Sequence, residues 1–478
     1  MLVSKQTDNL PRLLIGGLGG SSGKTFVSLG LCAIFAQSGL KVQAYKKGPD
    51  YIDANWLSSA AGFPAINLDP FLFAPEKIPS VFARHMALAD IAVIEGNRGL
   101  FDGMDVDGSC SSAEVARMLA SPVILVVDCT KVTRTVAALV LGCQQFEPDL
   151  NLAGVILNRT AGARHRRILR DCIERYTDVP VLGALPRKKE NPLPERHMGL
   201  ISDREQDRHT DIFAQISSLM RDAVDIEAVL QIAFSAPLLQ GVFVPDLPVS
   251  PVAGTVKIGV ACDRAFCFYY QNNLEALKDE GAQLVPVSLL GGTEWPEIDA
   301  LYLGGGFPET MAKELAGNIQ VRSRVRDLAR RGMPIYAECG GLMYLGEQID
   351  VQGRTYAMSG VLPVRSVLHP RPQGHGYVRV RVCRPNPYFP VGQELNGHEF
   401  HYSTAVPSAP VEHALDMIRG IGMGDSVDGV IWKNVFAAYT HLHALGVPCW
   451  AKNFVRAARV FRYNPCLCPD IRIEGSPV

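Results

Sequence analysis

The run LLIGGLGGSSGKTFVSLGLCAIFAQSG, residues 13–39, decides the fold of the first half of the chain. It reads as a buried strand, a glycine-rich turn at Gly19-Gly20-Ser21-Ser22-Gly23-Lys24-Thr25, and a helix opened by that turn. In such a loop backbone N–H groups wrap phosphate oxygens, the lysine neutralises the terminal phosphates and the threonine hydroxyl reaches Mg2+. Gly20, Gly23, Lys24 and Thr25 are therefore the candidate nucleotide-binding residues. The standard spacing requires glycine at position 18, where this chain carries Leu18, so the loop is a variant of the form xGGxxGKT. A glycine-rich turn with an incidental Lys-Thr is the bland alternative, and the strand–loop–helix context speaks against it.

The same rhythm continues outward through KVQAY (41–45), IAVIE (91–95), PVILVVD (122–128), AGVILN (153–158) and PVLGAL (180–185). Apolar runs that scarcely alternate, separated by helical segments, predict an α/β domain with a parallel sheet covered on both faces. Charged, helical-looking sequence follows from Glu195 to Phe234, then a stretch with Pro237, Pro245, Pro248 and Pro251 that reads as a linker over 233–255. The rhythm restarts with VKIGVA (256–261), QLVPV (283–287), ALYLGGG (300–306) and PIYAECGG (334–341), then passes into strand-like segments between Val361 and His441. The expected organisation is an ATP-binding domain at 1–232 and a second α/β domain at 256–478. A length of 478 residues alone suggests about three domains, and the motifs reduce that to two large ones.

A formal net charge of −1, from 47 Lys+Arg and 48 Asp+Glu, provides no overall basic field for nucleic acid or an anionic membrane. No apolar stretch approaches the roughly 20 residues of a membrane span, and the amino terminus does not read as a secretory signal. A cytoplasmic enzyme without nucleic-acid or membrane partners is expected. The twelve cysteines lack paired spacing, so they read as reduced, mostly buried thiols, including Cys466 and Cys468.

Two acidic stretches fall at predicted strand ends, Gly48-Pro49-Asp50-Tyr51-Ile52-Asp53 and Glu95-Gly96-Asn97-Arg98-Gly99-Leu100-Phe101-Asp102-Gly103. The carboxyl ends of parallel strands share one crevice, so Asp50 and Glu95 are expected to join Thr25 at Mg2+. Helix capping or loop ordering is the competing role for Asp53 and Asp102. Asn158 ends a later strand on the same edge, where its amide could read an adenine edge or order a turn.

Cys339 lies between a predicted strand and helix. There the helix terminus is expected to lower its pKa, and the Gly304-Gly305-Gly306 amides to hold an oxyanion. Cys339 is the candidate nucleophile and His441 the candidate base, ahead of His443 and of the rivals His398 and His401.

These motifs together resemble those of the cobyrinic acid a,c-diamide synthases, amidotransferases of the cobalamin pathway, from about Arg12 to His443. The resemblance rests on Gly23-Lys24-Thr25, Gly48-Pro49-Asp50-Tyr51-Ile52-Asp53, Asn67-Leu68-Asp69, Gly99-Leu100-Phe101-Asp102-Gly103, Pro194-Glu195-Arg196-His197-Met198-Gly199-Leu200, Glu338-Cys339-Gly340-Gly341 and Gly397-His398-Glu399-Phe400-His401. It implies a P-loop domain similar to dethiobiotin synthetase that activates a carboxylate with ATP, followed by a class I glutamine amidotransferase-like domain. Cys339 would attack glutamine, and ammonia would travel by an enclosed path to an acyl phosphate. The substrate would be a tetrapyrrole polycarboxylate, near Tyr51, Asp53 and Asp102 and met by local lysines and arginines. Class I domains place a glutamate two residues after the histidine, and this chain has His443 there.

Amidation of nickel-sirohydrochlorin or hydrogenobyrinic acid is the near alternative, and a nucleotide-switched partitioning or scaffold protein the distant one. The oligomeric state, a homodimer included, is not fixed by the sequence.

Overall fold

The computed structural model describes residues 10–187, 193, 195–196, 199–200, 209–239, 255–292, 294–464 and 470–473. The chain forms two compact units, one of Met1–Pro70 with Ala74–Asp246 and one of Phe71–Phe73 with Leu247–Val478.

In the first unit, strands β1 (Arg12–Gly17), β2 (Val42–Lys47), β3 (Ile66–Leu68), β4 (Ile91–Glu95), β5 (Val123–Asp128), β6 (Leu152–Thr160) and β7 (Val181–Pro186) form one parallel sheet in the order β3-β2-β4-β1-β5-β6-β7. Between them run α1 (Lys24–Gln37), α2 (Tyr51–Ala61), α3 (Ile78–Met86), α4 (Ser112–Met118), α5 (Thr135–Phe146) and α6 (Ala163–Tyr176). Every residue of β1, β2 and β4 is buried, as suits parallel strands covered on both faces. Each Leu, Ile or Val so removed from water contributes about 1.5–3 kcal/mol before chain entropy is counted. Local signals set the helix ends: Asp50 accepts from Asp53 N to start α2, and Gly62, at φ 76°, ends it.

All six strands expected in this half are present, and three-residue β3 joins them at the edge. Among the described residues of the stretch expected to be helical from Glu195, α7 (His209–Ala223) and α8 (Ile226–Phe234) are helical. Upstream, β8 (Glu195–Arg196) and β9 (Gly199–Leu200) pair antiparallel. Pro194 and Gly199 weaken a helix there. The side chains of the PERHMGL motif and the Cys466 and Cys468 positions lie outside the described residues. Residues 233–237, within the interval expected to be linker, pack in this unit: Ala233 and Ala236 are buried and Pro237 O accepts from Arg12 Nη2 at 2.6 Å.

The second unit is built on a ten-stranded sheet. Strands β10 (Val256–Ala261), β12 (Ala282–Val287), β13 (Ala300–Leu303) and β15 (Ile335–Glu338) pair in parallel. Around them lie the short strands β11 (Phe266–Phe268) and β14 (Gly305–Gly306), and helices α9 (Gln271–Asp279), α10 (Ala312–Gly317), α11 (Ile319–Arg330) and α12 (Gly340–Leu345). A smaller sheet uses β16 (Gln348–Val351), β17 (Arg354–Ala357), β18 (Val364–Leu368) and, later, β21 (Ser403–Pro407). The large sheet is completed by β19 (Gly374–Val382), β20 (Glu394–His401), β22 (Glu412–Arg419), β23 (Val427–Trp432), β24 (Val435–Ala438) and β25 (His441–Leu442), with α13 (Cys449–Tyr463) following.

Its order is β12-β10-β13-β15-β24-β23-β22-β19-β20-β25. β24 runs parallel to β15, whereas the strands from β23 to β25 pair antiparallel. Tyr302, Tyr336, Tyr388, Trp450 and Phe454 pack ring against ring beneath it. The excursion Phe71–Phe73 belongs to this unit: Phe71 stacks on Tyr377 at 4.4 Å and Phe73 lies 4.9 Å from the ring of His443. Among the described residues no helix is long and apolar enough to cross a membrane.

Candidate active sites

The first site lies where β1, β2, β4 and β6 end on one edge of the parallel sheet. Gly23, at φ 100°, occupies a conformation that suits glycine. A Cβ there would also meet Asn158 Nδ2 at 2.1 Å. Asn158 Nδ2 donates to Ser22 O at 2.9 Å, and its Oδ1 accepts from Arg159 N at 2.8 Å. The observed bonds of Asn158 thus tie β6 to the loop, and none of them requires an adenine edge. Gly19 and Gly20 have open space beside them.

Lys24 is 7 % exposed and donates to Gly19 O and Arg98 O. Burial first, and the Lys46 charge second, hold it below the ordinary lysine range. Thr25 Oγ1 donates to Glu95 Oε1 at 2.7 Å.

A buried lysine of the second strand completes the cluster. Lys46 Nζ donates to Glu95 Oε1 at 2.7 Å and to Asp53 Oδ2 at 2.6 Å. Burial alone would lower the Lys46 pKa, but Asp53 and Glu95 outweigh it and raise it. The carboxyl pKa values of Asp50 and Glu95 move up, burial being the largest cause in both. Glu95 Oε2 is buried and has no hydrogen-bond partner among the described residues.

Thr25, Asp50 and Glu95 fit a hard divalent cation such as Mg2+. That oxygen, without a hydrogen-bond partner among the described residues, is available to a cation, which would relieve the desolvation that pushes both acids up. Among the described residues no group of three or more His, Cys, Asp or Glu is arranged as a metal site, so any such ion needs the threonine hydroxyl and other oxygens as well.

The residues expected to face substrate have visible local partners. Asp53 pairs with Lys46, and Asp102 Oδ2 accepts from Gly99 N at 2.7 Å. Tyr51 is buried at the head of α2. Asn67 Nδ2 donates to Gly48 O and Asp50 O, fixing the turn that carries these groups.

The second site is centred on the turn between β15 and α12. Cys339 takes φ 46° and ψ −98°, a strained backbone costing about 1–3 kcal/mol that concentrates at functional turns. Its N–H donates to Ala438 O at 2.7 Å, and its carbonyl accepts from Met343 N at 3.1 Å. Its thiol pKa is raised, by burial first and by Glu309 next, against a smaller lowering from the Gly340 N–H. The sequence-based expectation that the helix terminus lowers this pKa is thereby corrected, since a six-residue helix does not offset the burial.

His441, 2 % exposed, enters from β25 with Nδ1 3.2 Å from Glu338 Oε2. A Cβ on Gly305 would stand 2.7 Å from His441 Cε1, and one on Gly340 would stand 3.2 Å from Gly306 N. The Gly304-Gly305-Gly306 segment thus lies against both the nucleophile turn and the histidine. Gly304 N–H donates to Tyr269 Oη at 2.9 Å, which takes it out of the expected oxyanion role.

The rival histidines have other work. His398 stacks over His441 with centroids 4.8 Å apart, its Nδ1 2.9 Å from Tyr270 Oη, and burial holds its pKa well below the ordinary value. His401 stacks on Tyr439 at 3.7 Å and reaches Ser403 O and Glu399. His443 Nδ1 accepts from Leu445 N.

Ten cysteines are described and all are free. Four of them, Cys32, Cys129, Cys267 and Cys339, are buried and the other six half-buried, fewer buried thiols than the sequence suggested. Sequence reasoning quoted Glu338 without assigning it a role and gave Lys46 no place in the cluster. Glu338 is an ionisable group inside an otherwise apolar predicted strand, which is the signal that could have found it, whereas Lys46 directly follows the predicted strand 41–45 beside a second lysine and carries no such signal.

A glycine-rich loop at the edge of one parallel sheet and a strained cysteine turn in a second unit stand on one chain, and the proteins it resembles make it a two-part glutamine-dependent ligase. The family model for the CobQ/CobB/MinD/ParA nucleotide binding domain matches residues 13–201, and that for the CobB/CobQ-like glutamine amidotransferase domain matches residues 257–448. The chain is 42 % identical over 455 residues to the cobyrinate a,c-diamide synthase of Magnetococcus marinus, covering 94 % of this chain and 97 % of that one. Proteins of the same name from Archaeoglobus fulgidus (39 % over 451 residues, 94 % and 98 %) and Salmonella typhimurium (38 % over 449 residues, 93 % and 98 %) are similar along nearly their whole lengths. The chain belongs to the cobyrinate a,c-diamide synthase family.

Proposed function

We propose that the chain uses ATP and glutamine to amidate the a and c carboxylates of cobyrinic acid. What carries the reading is the presence, on one chain, of a loop in which Thr25 meets Glu95 and a strained turn at Cys339 packed on the same Gly305-Gly306 segment that borders a buried His441. Lys24 and Thr25 would meet the phosphates within the glycine loop, with Asn158 steadying the loop from β6. Thr25, Asp50 and Glu95 would hold Mg2+, which when bound supplies charge neutralisation at the phosphates.

A carboxylate resists ammonia because it would have to expel an oxide, so a carboxylate oxygen first takes the γ-phosphoryl group of ATP and ADP leaves. Lys24, held dry among carbonyl oxygens, is suited to balance charge on that group. Tyr51, Asp53 and Asp102 are the proposed residues on the substrate side.

In the second unit the Cys339 sulfur would add to the glutamine side-chain carbonyl carbon after His441 removes the thiol proton. Collapse breaks the C–N bond, and His441 returns the proton to the departing nitrogen. Water then cleaves the thioester to glutamate, restoring the thiol. Ammonia displaces phosphate from the acyl phosphate, losing one proton, and the amide forms.

Two variants separate the halves. Cys339→Ser should abolish amidation from glutamine and keep amidation from ammonium salt, whereas Lys24→Ala should abolish both, by at least about a hundredfold. Counting amide groups by mass on each macrocycle decides the substrate. Two amidations of nickel-sirohydrochlorin or hydrogenobyrinic acid, with none of cobyrinic acid, would move the activity to the alternative substrate. A partitioning protein would leave the matched amidotransferase region at 257–448 without a use.

A further inference from the structure

We infer that Glu338, the residue immediately before the nucleophile, is the positioning residue that orients His441 and balances its charge when it takes the thiol proton. The inference rests on the reading of Cys339 and His441 as the glutamine-cleaving pair, and fills the place where position 443 holds a histidine instead of a glutamate.

Three observations carry it. First, Glu338 Oε2 lies 3.2 Å from His441 Nδ1, both side chains being at most 3 % exposed. Second, the carboxylate is held by other donors: Tyr336 Oη reaches Oε1 at 3.1 Å, Tyr302 Oη reaches Oε2 at 3.3 Å, and Leu442 N reaches Oε1 at 3.3 Å. A buried carboxylate with four donors is fixed in place and desolvated at once, so it acts strongly on a charge that appears beside it. Third, the residue at the usual position has another partner. His443 Nδ1 accepts from Leu445 N, and its ring lies against Tyr270 and Phe73. An imidazole accepting there offers no anionic oxygen.

The strand register explains how adjacent residues of one strand do both jobs. Glu338 is opposite Ala438 in the parallel β15–β24 pair, and three residues after Ala438 the chain arrives at His441. Asp428 holds the intervening corner through Tyr439 N, Thr440 N and Thr440 Oγ1. Cys339, the next residue, is turned out of the strand by its positive φ.

With the Nδ1 proton donated to Glu338, the lone pair of His441 is on Nε2. That nitrogen accepts the proton from Cys339, the sulfur keeps the electron pair to attack the carbonyl carbon, and the proton later goes to the leaving nitrogen. Glu338 gains and loses no atom in these steps. His398, neutral and stacked on His441, fixes the ring plane without adding charge. Beside His441 stand Glu338 at Nδ1 and His398 on the ring face, with Tyr302 and Tyr336 behind on the Glu338 carboxylate.

The test compares Glu338→Gln with Cys339→Ser in the full chain, with ATP and cobyrinic acid present. Glutamine hydrolysis by Glu338→Gln should fall on the order of a thousandfold, with the ammonium-driven amidation and the thermal midpoint of the parent retained. The loss should fall on kcat for glutamine hydrolysis, with KM kept within about twofold, because the carboxylate acts on the histidine and not on bound glutamine. Tyr336→Phe, which spares the Glu338–His441 bond, should cost no more than about fivefold. A Glu338→Gln enzyme with parent glutaminase, or one whose loss falls on KM while kcat stays fixed, overturns the inference. If Cys339→Ser itself retains glutaminase, the reading of the site has failed instead. Should Glu338→Gln not fold, 15N-histidine spectra of the parent decide: an Nδ1–H tautomer of His441 supports the role, and an Nε2–H tautomer overturns it.

Discussion

Asn158 shows how a side chain expected at a site can have a visible contact other than the obvious one. Its position at the end of β6 follows from the sequence, because a parallel strand that finishes GVILN puts the asparagine on the ligand-facing edge. Its partner does not follow, since only the folded chain brings Ser22 O within 2.9 Å of Nδ2. Removing that bond in Asn158→Ala should loosen the loop by roughly 1 kcal/mol, raising the KM for ATP up to about tenfold with either nitrogen source. The preference for ATP over GTP should be unchanged; a collapse of that preference would make Asn158 a reader of the base. The Thr25–Glu95 pair was legible for the same topological reason. Lys46 was not, because a lysine flanked by Tyr45 and Lys47 in a predicted strand looks like a strand end, whereas burial between Asp53 and Glu95 is a tertiary fact.

At the level of elements, the short ribbon of β11 and β14 controls the second site. The triple glycine marked a place of close approach, and the sequence suggested an oxyanion donor as the group approached. The structure adds a steric reason, for a Cβ on Gly305 would come within 2.7 Å of His441 Cε1 and 3.3 Å of Phe268. Gly305 has no positive φ, so alanine meets no backbone penalty and the displaced group is the histidine. Gly305→Ala should therefore lower glutamine-dependent amidation at least about a hundredfold, as misplacement by an ångström does, while ammonium still supports the reaction. Parent-level glutaminase would mean that His441 has room to shift. Gly306→Ala is a different experiment: at φ 153°, with Ala265 O at 2.1 Å from a Cβ, it disturbs the ribbon itself. Long buried strands were legible because their apolar runs leave no alternative. Three-residue β3 and the β8–β9 pair were not, because neither is long enough to impose a period.

On the scale of the whole molecule, two units had clear signatures in their repeated β/α rhythm, but the place where the chain passes between them did not. Composition marked 233–255 by its prolines, yet Phe71–Phe73 belongs with the second unit, and three aromatic-rich residues after Asn67-Leu68-Asp69 look like ordinary core. Likewise, residues up to Pro237 stay with the first unit because of Arg12. This fully buried guanidinium at the head of β1 donates to Leu119 O at 2.6 Å, Leu10 O at 2.8 Å, Ala120 O at 3.3 Å and Pro237 O at 2.6 Å. One side chain thus joins the start of the central strand, the end of α4 and the segment following α8. Arg12→Met keeps the aliphatic stem and removes every donor, stranding carbonyl oxygens that water reaches poorly. The loss should be on the order of 3 kcal/mol. For a unit of this size that corresponds to a thermal midpoint lower by about 6–12 °C, measured by loss of helical circular dichroism. Saturating ATP should recover part of the shift by binding the folded first unit. An unchanged midpoint would show that the four carbonyls are satisfied without the arginine, and that the buried face of α8 alone keeps residues 233–237 in place.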